Sequence, residues 1–327
     1  VIATFSTAYL LSGAAMYLWL RSQSKMPLTG SLIYMAAPYH AFNFYVRGAL
    51  AEALATAIIP LVLLGLRKLG RGERGGFALS AGSYAALIIT HLPLALLASI
   101  FLIGPYVLVQ AKKAPDRFAA VGAALAAGLM LSGIYLVPAV MLEPYRDSAK
   151  LWADPMLRPY NWTFWNPAIR SSKNYIAVLI IGVSLSVPLC GLVARHRSRW
   201  ALGGLIVVAL AVGLVPIVWT LPLLKSVQFP FRLFPIAEFA LASGIATAAP
   251  GLGESAIALA ALLSATVPIT ASISPAVVSL DELASEHPDV PENLPPGERP
   301  YSWPSRWALQ VASTHETSRY AEGVTVA

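Results

Sequence analysis

The strongest constraint on this chain is a series of ten apolar runs, several of them near the length that crosses a bilayer. A spanning helix needs about 20 mainly apolar residues. Only 12% of the residues are charged, whereas soluble domains average about 25%. We therefore predict an all-α polytopic integral membrane protein of about ten hydrophobic helices, at residues 1–20, 28–38, 49–66, 77–90, 93–111, 118–140, 175–194, 201–222, 233–249 and 253–271.

The placement of the basic residues argues against a nucleic-acid partner, although the net charge is +7. Basic residues cluster in short loops between apolar runs, as the positive-inside rule expects of cytoplasmic loops. Those loops carry Arg21 and Lys25; Arg67, Lys68, Arg71 and Arg74; Lys112, Lys113 and Arg117; and Arg195, Arg197 and Arg199. We expect a multi-pass protein of the inner (plasma) membrane whose partners are membrane lipids and not nucleic acid.

The stretch 77–111 lies between two of these basic loops, so it must cross the membrane an even number of times. At 1.5 Å per residue it is about 50 Å long, which is too long for a single crossing. Thr90-His91-Leu92-Pro93 supplies a break, because proline disfavours continuation of a helix. The pattern predicts a tight helical hairpin with His91 at the outer surface.

This topology defines a transmembrane domain over residues 1–271, with its main outer loops at 39–48, 141–174 and 223–232. The second loop is aromatic. Its Trp162 and Trp165 suit stacking on sugar rings and equally suit a membrane-interface belt.

The two ends indicate a fragment of a longer protein. Val1 is not a start methionine, and the tail 272–327 is proline-rich before it alternates loosely like a strand. We expect this tail to be extracytoplasmic and to begin a truncated domain of β type.

The segment 38–52 holds the most unusual polar residues, because ionisable groups near hydrocarbon are costly, rare and usually functional. If residues 40–48 are helical, His40, Asn43 and Arg47 share one face. The planar fork of Arg47 suits a phosphate. The alternative is an interfacial helix whose arginine reaches the lipid phosphates.

Glu52 lies inside an apolar run. On a straight helix it would point about 140° away from Arg47, so the two are poor partners unless Gly48 bends the chain. Glu52 could instead pair with an arginine of another helix or act as an acid or base. We favour an ion pair over catalysis.

Arg232 lies among aromatic residues and prolines where an outer loop re-enters the membrane. It suits a lipid-linked phosphate, an ion pair with Glu52 or Glu238, or an ordinary interfacial anchor. His91 is a candidate ligand, proton shuttle or cavity donor. The alternative for His91 is a hydrogen-bonded structural histidine.

The sequence contains no P-loop, dinucleotide fingerprint, paired-cysteine site or HExxH motif. Its five histidines are dispersed, which argues against a histidine-rich metal centre. We predict no cofactor and no metal site, with a divalent metal left open.

Three stretches resemble landmarks of a bacterial polytopic membrane family labelled 6-pyruvoyl-tetrahydropterin-synthase-related, over about residues 1–270. They are Leu32–His40 with Tyr45–Glu52 and Pro60-Leu61, then Thr90-His91-Leu92-Pro93, and then Gln228-Phe229-Pro230-Phe231-Arg232. The label itself carries no pterin chemistry. The family is similar to the GT-C glycosyltransferases, multispan enzymes that use polyprenyl-phosphate-linked sugars at the outer membrane face.

The resemblance implies a GT-C-like membrane glycosyltransferase, or an inactive relative, that handles a lipid-linked sugar donor. Arg47 and Arg232 would contact the lipid phosphate. The outer cavity would be shaped by Tyr39, His40, Glu52 and His91. GT-C enzymes carry an acidic residue that acts as the catalytic base in the first outer loop. We expect that loop upstream of Val1, so no catalytic residue is assigned.

Two other hypotheses stay open. One is a transporter or flippase for a lipid-linked or polar solute, with the same charges along a pathway through the bilayer. The other is a non-catalytic membrane protein of envelope assembly.

Overall fold

The structure, a computed structural model, describes residues 2–143, 157–170 and 172–248, with scattered positions between 251 and 263. The chain divides into two compact units, Val1–Leu136 with Arg158–Ile273 and Val137–Leu157 with Ser274–Ala327. Only residues 137–143 and 157 of the second unit are described. The predicted β-type tail, 272–327, lies outside the described residues.

The described residues are built of helices and contain no β-strand, which confirms the all-α fold class. In chain order the helices are α1 (Ile2–Leu20), α2 (Pro27–Met35), α3 (Pro38–Ala41), α4 (Leu50–Gly70), α5 (Gly76–Thr90), α6 (Leu92–Ala98), α7 (Gly104–Lys113), α8 (Phe118–Leu131), α9 (Gly133–Leu142), α10 (Pro167–Arg170), α11 (Lys173–His196), α12 (Arg199–Ala211) and α13 (Phe234–Ala248). The connections between these helices include two π-helical segments, Phe42–Arg47 and Ser99–Ile103. They also include four 3-10 turns: Pro115–Arg117, Pro159–Asn161, Pro216–Thr220 and Pro230–Leu233.

Four helical segments among the described residues are long and apolar enough to cross a membrane. They are Leu50–Gly70, Leu92–Lys113, Tyr175–His196 and Pro230–Ala248. A fifth is counted if α8 with its preceding turn and α9, which are bent by 53°, form one span. The prediction of about ten hydrophobic helices is not supported at that number. Helices such as α5, with 15 residues, reach only about 22 Å, less than the hydrocarbon core of about 30 Å.

The predicted run 201–222 is not one helix. Helix α12 ends at Ala211, and Gly213 follows with φ 72°. A Cβ at Gly213 would lie 2.5 Å from the carbonyl oxygen of Trp162, so only glycine allows both this left-handed turn and this close approach. The chain then continues as turns and a 3-10 segment.

The predicted hairpin break falls where the sequence placed it. Helix α5 ends at Thr90, and α6 begins at Leu92. His91 between them is extended, with φ −157° and ψ 90°. Helix α6, the π-helical segment and α7 then form the single span Leu92–Lys113.

Helix α13 lies at the centre of the bundle, packed against α2, α11 and α12. Every residue from Phe234 to Ala246 is buried. Aromatic rings surround it, with Phe239 in ring contact with Trp19 and Trp200. Any polar side chain on α13 must therefore find its partners inside the protein.

Candidate functional site

A bend at Gly48 joins the first two elements of the site. The π-helical segment Phe42–Arg47 ends at Gly48, which adopts the left-handed conformation with φ 59°, and α4 begins two residues later. This bend brings Arg47 Nη1 to 2.7 Å from Glu52 Oε2. The prediction that these side chains could meet only through a bend at Gly48 is confirmed.

One guanidinium nitrogen of Arg47 serves three acceptors. Arg47 Nη1 donates to the Tyr39 hydroxyl and to Asn43 Oδ1, both at 2.8 Å, and to Glu52 at 2.7 Å. The guanidinium also lies over the ring of Phe231, 5.3 Å from its centre. Arg47 is thus held from three sides, while 17% of its side chain stays exposed.

Glu52 is the centre of the site and is 1% exposed. The Tyr39 hydroxyl donates to its Oε1 at 2.6 Å. On the other oxygen, Oε2, Arg232 Nε approaches to 3.6 Å, next to Arg47. We call the six residues that meet here the Glu52 cluster: Tyr39, Asn43, Arg47, Glu52, His91 and Arg232.

Arg232 reaches this cluster from the 3-10 turn before α13. Its Nη1 donates to the Val227 carbonyl at 2.8 Å and to Gln228 Oε1 at 3.1 Å. Its Nε, which faces Glu52, makes no hydrogen bond among the described residues, because 3.6 Å is an ion-pair distance and too long for a hydrogen bond. Arg232 therefore forms an ion pair with Glu52, but its Nε lacks a hydrogen-bond acceptor among the described residues.

His91 sits at the break before α6 and caps that helix. Its Nδ1 accepts from the Leu94 backbone N–H at 3.1 Å, and its Nε2 lies 3.7 Å from Glu52 Oε2. Burial lowers the pKa of His91 to about 4, and the nearby Glu52 only partly opposes this effect. His91 is therefore neutral at pH 7, and its short distance to Glu52 is not an ion pair at that pH.

Burial also raises the pKa of the Tyr39 hydroxyl well above its usual range, although Arg47 partly opposes the shift. For Arg47, burial alone would lower the pKa, but Tyr39 and Glu52 raise it overall. Tyr39 thus stays a neutral donor, and Arg47 stays charged.

A second buried carboxylate adjoins the cluster. Glu238 on α13 accepts from the Tyr39 backbone N–H at 2.7 Å through Oε1, and its Oε2 lies 2.8 Å from His40 Nδ1. The other ring nitrogen of His40, Nε2, is buried without a hydrogen-bond partner among the described residues. Tyr39 therefore links both carboxylates, one through its hydroxyl and the other through its backbone.

The structure brings together six of the residues that the sequence singled out: Tyr39, His40, Arg47, Glu52, His91 and Arg232. From the sequence, Glu238 was predictable only as a possible partner of Arg232. Its actual partners are His40 and Tyr39. The available signal was a lone carboxylate in the apolar run 233–249.

The two tryptophans lie apart from Glu52. Trp162 is 4% exposed and packs against Tyr175, Phe229 and Phe231. Trp165 is 62% exposed and donates to the Leu214 carbonyl at 3.0 Å. Trp162 therefore supports the aromatic segment that carries Arg232, and Trp165 lies at the surface.

The charges within the six-residue Glu52 cluster do not cancel. Arg47 and Arg232 share Glu52, and His91 is neutral, so the cluster carries one excess positive charge.

The cavity between His40 and Asn43 holds only about 10 Å³, about the space of one water molecule. No three His, Cys, Asp or Glu side chains within the described residues are grouped to hold a metal.

Comparison with known families settles the membership of the chain. The profile of the 6-pyruvoyl-tetrahydropterin synthase related domain, described as a membrane protein, matches residues 2–279. The chain belongs to this family. No curated protein and no solved structure matches it significantly.

The family match covers every residue of the Glu52 cluster and both residues of the His40–Glu238 pair. As a member of the 6-pyruvoyl-tetrahydropterin synthase related family, the chain is a membrane protein, in agreement with its apolar helices.

Proposed function

We propose that this protein binds the phosphate of a polyprenyl-phosphate-linked sugar at Arg47 and Arg232, as a GT-C-like glycosyltransferase or an inactive relative. The site would face the outer side of the inner (plasma) membrane. The basic loops would then be cytoplasmic, and the tail 272–327 extracytoplasmic.

One observation carries the proposal: two guanidiniums converge on a single buried carboxylate. Arg47 Nη1 and Arg232 Nε lie 2.7 and 3.6 Å from the same oxygen of Glu52. One carboxylate cannot neutralise both, and an unbalanced buried charge is unfavourable. A phosphate group would supply the missing negative charge, and guanidinium forks suit its oxygens.

A non-catalytic role in envelope assembly is the second candidate, and a specific observation favours it. All four oxygens of Glu52 and Glu238 already have partners within 2.8 Å. A general base needs an oxygen that can reach the acceptor hydroxyl. We therefore assign no base to Glu52 or Glu238.

The test is equilibrium binding of a fluorescent polyprenyl phosphate to the full-length membrane protein in lipid nanodiscs. Arg47→Gln and Arg232→Gln should each weaken binding about tenfold or more, because a hydrogen bond to a charged group contributes about 1.5–3 kcal/mol. Arg47→Lys should fall between Gln and wild type, since it keeps the charge but loses the planar fork.

Lys225→Gln is the matched control, because it removes one positive charge from the exposed part of the 223–232 segment. It should bind like wild type. Equal loss in Lys225→Gln and Arg47→Gln would reduce the effect to general charge attraction, and unchanged binding in both arginine variants would overturn the phosphate site. Sugar transfer by the wild type, measured with a radiolabelled lipid-linked sugar, separates an enzyme from an inactive relative.

A further inference from the structure

A second charged region lies at the opposite end of the bundle from the Glu52 cluster. A cavity of about 540 Å³ opens there between α4, α7, α12 and α13. Glu52 and Arg67 both belong to α4, and fifteen residues of helix separate them by about 22 Å. We call this space the basic cavity, and it shares no residue with the Glu52 cluster.

Four cations line the basic cavity: Arg67, Arg71, Lys113 and Arg199. No acidic side chain of the described residues lines it. Arg67 is buried and fixed, donating to the Ser22 hydroxyl and carbonyl at 2.7 and 2.9 Å. The other three cations are exposed.

Arg71 is the only one of these exposed cations with an ion pair in the described part of the chain. Its partner Glu73 is itself exposed and lies 3.8 Å away. Such surface pairs contribute little. Lys113 and Arg199 are thus available to an external anion.

The position of Arg199 points to an anion independently. Arg199 is the first residue of α12, whose N-cap Ser198 accepts from the Ala201 backbone N–H. A helix N-terminus carries a partial positive charge and favours anions, so an arginine there is unfavourable for the helix itself. A bound anion would interact favourably with both the arginine and the helix terminus.

The remaining wall of the cavity is mainly apolar. Trp200 stacks on Tyr106 at 6.3 Å and contacts Trp19 and Phe239, which fix its position. Phe101 lines the same space. The volume is within the range of small-molecule sites, and the combination of cations and apolar walls suits a molecule with a charged head and an apolar tail.

We propose that the basic cavity binds an anionic phospholipid of the adjoining leaflet. Arg71, Lys113 and Arg199 contact the phosphate, and the acyl chain lies against Phe101 and Trp200. Basic pockets between transmembrane helices bind anionic headgroups in this way. The apolar wall selects a lipid over a free phosphate, which would leave that surface without a partner.

The test counts bound phosphatidylglycerol on the purified full-length protein by native mass spectrometry, with titration to obtain the affinity. Lys113→Gln/Arg199→Gln should weaken binding about 20-fold, since each basic residue near an anionic lipid contributes about a factor of five. The control is Lys112→Gln/Arg197→Gln. It also removes two positive charges, at exposed positions within two residues of Lys113 and Arg199 that do not line the cavity, and should bind within about threefold of wild type.

Three ligands distinguish the sources of the phosphate: phosphatidylglycerol, its chain-free headgroup glycerophosphoglycerol, and inorganic phosphate. Phosphatidylglycerol should bind at least tenfold more tightly than either soluble ligand. Equal affinities for all three would overturn the lipid assignment. Equal losses of affinity in the two double variants would indicate diffuse charge attraction. Unchanged affinity in both variants would overturn the proposed site.

Discussion

The arginines near the two ends of α4 differ in the partners they contact. At the Glu52 end, Arg47 and Arg232 are largely buried and share one carboxylate. At the basic end, Arg71 is exposed, and Arg67 makes its hydrogen bonds to Ser22. The first pair is part of the packed structure, whereas the exposed cations of the basic cavity, Arg71, Lys113 and Arg199, can change partners. We therefore expect substitutions at the Glu52 end to change stability as well as phosphate binding, and those of the exposed cations at the basic end to change binding alone.

The largest effect should come from Glu52→Gln, which leaves two guanidiniums facing each other without a counter-charge. Removing one partner of a buried ion pair costs about 3–5 kcal/mol. Thermal unfolding of the purified protein in detergent measures the loss. Glu73→Gln at the basic end breaks only exposed pairs and should cost less than about 1 kcal/mol. Similar losses of unfolding free energy in both variants would contradict the expected difference between the two regions.

A second effect should appear on acidification. The pKa of His91 falls from 6.5 to about 4 on folding, so the unfolded chain binds a proton more readily between these values. Stability should therefore be full above pH 6.5 and fall as the pH is lowered, by about 2 kcal/mol at pH 5.

His91→Asn tests the origin of this pH dependence. Asparagine can still cap α6 but does not titrate. Unfolding measured from pH 7.5 to 5 should show a flatter profile for this variant than for wild type. Identical profiles would mean that another group is responsible.

Gly48→Ala should have a smaller effect and tests the bend that makes the Glu52 cluster. An added Cβ at Gly48 meets no atom within 4 Å, so the cost is the left-handed backbone alone, about 1–2 kcal/mol. Gly82→Ala adds the same Cβ on α5, where no atom lies within 4 Å of it and φ is negative. This substitution should stabilise the protein by up to about 1 kcal/mol. Unfolding measurements that gave the same sign for both would contradict the role of the bend.

The smallest effect on stability should come from Lys113→Gln/Arg199→Gln. Both side chains are exposed, so the unfolding free energy should stay within about 0.5 kcal/mol of wild type. This variant combines a large expected loss of lipid binding with unchanged stability. A loss above about 2 kcal/mol would place these cations in the packed structure instead.

Local chemistry made several features predictable. The helix break at Thr90-His91-Leu92-Pro93 was predictable, because proline disfavours helix continuation through its own backbone and that of the residue before it. The rarity of charge in apolar runs marked Arg47, Glu52 and Arg232. The end of the helix within the run 201–222 was not predictable from the sequence. Gly213, which follows that end, packs against the carbonyl of Trp162, which is far away in the chain.

By itself the sequence determined that this protein is a helical membrane protein, since apolar runs of this length and number have few other stable solutions. It also marked the residues that are costly to bury. Only the tertiary structure decided their partners: His40 with Glu238, and Arg47 with Arg232 on Glu52. Such pairings depend on how helices pack and on a single bend at Gly48, and hydrophobic periodicity carries no information on either.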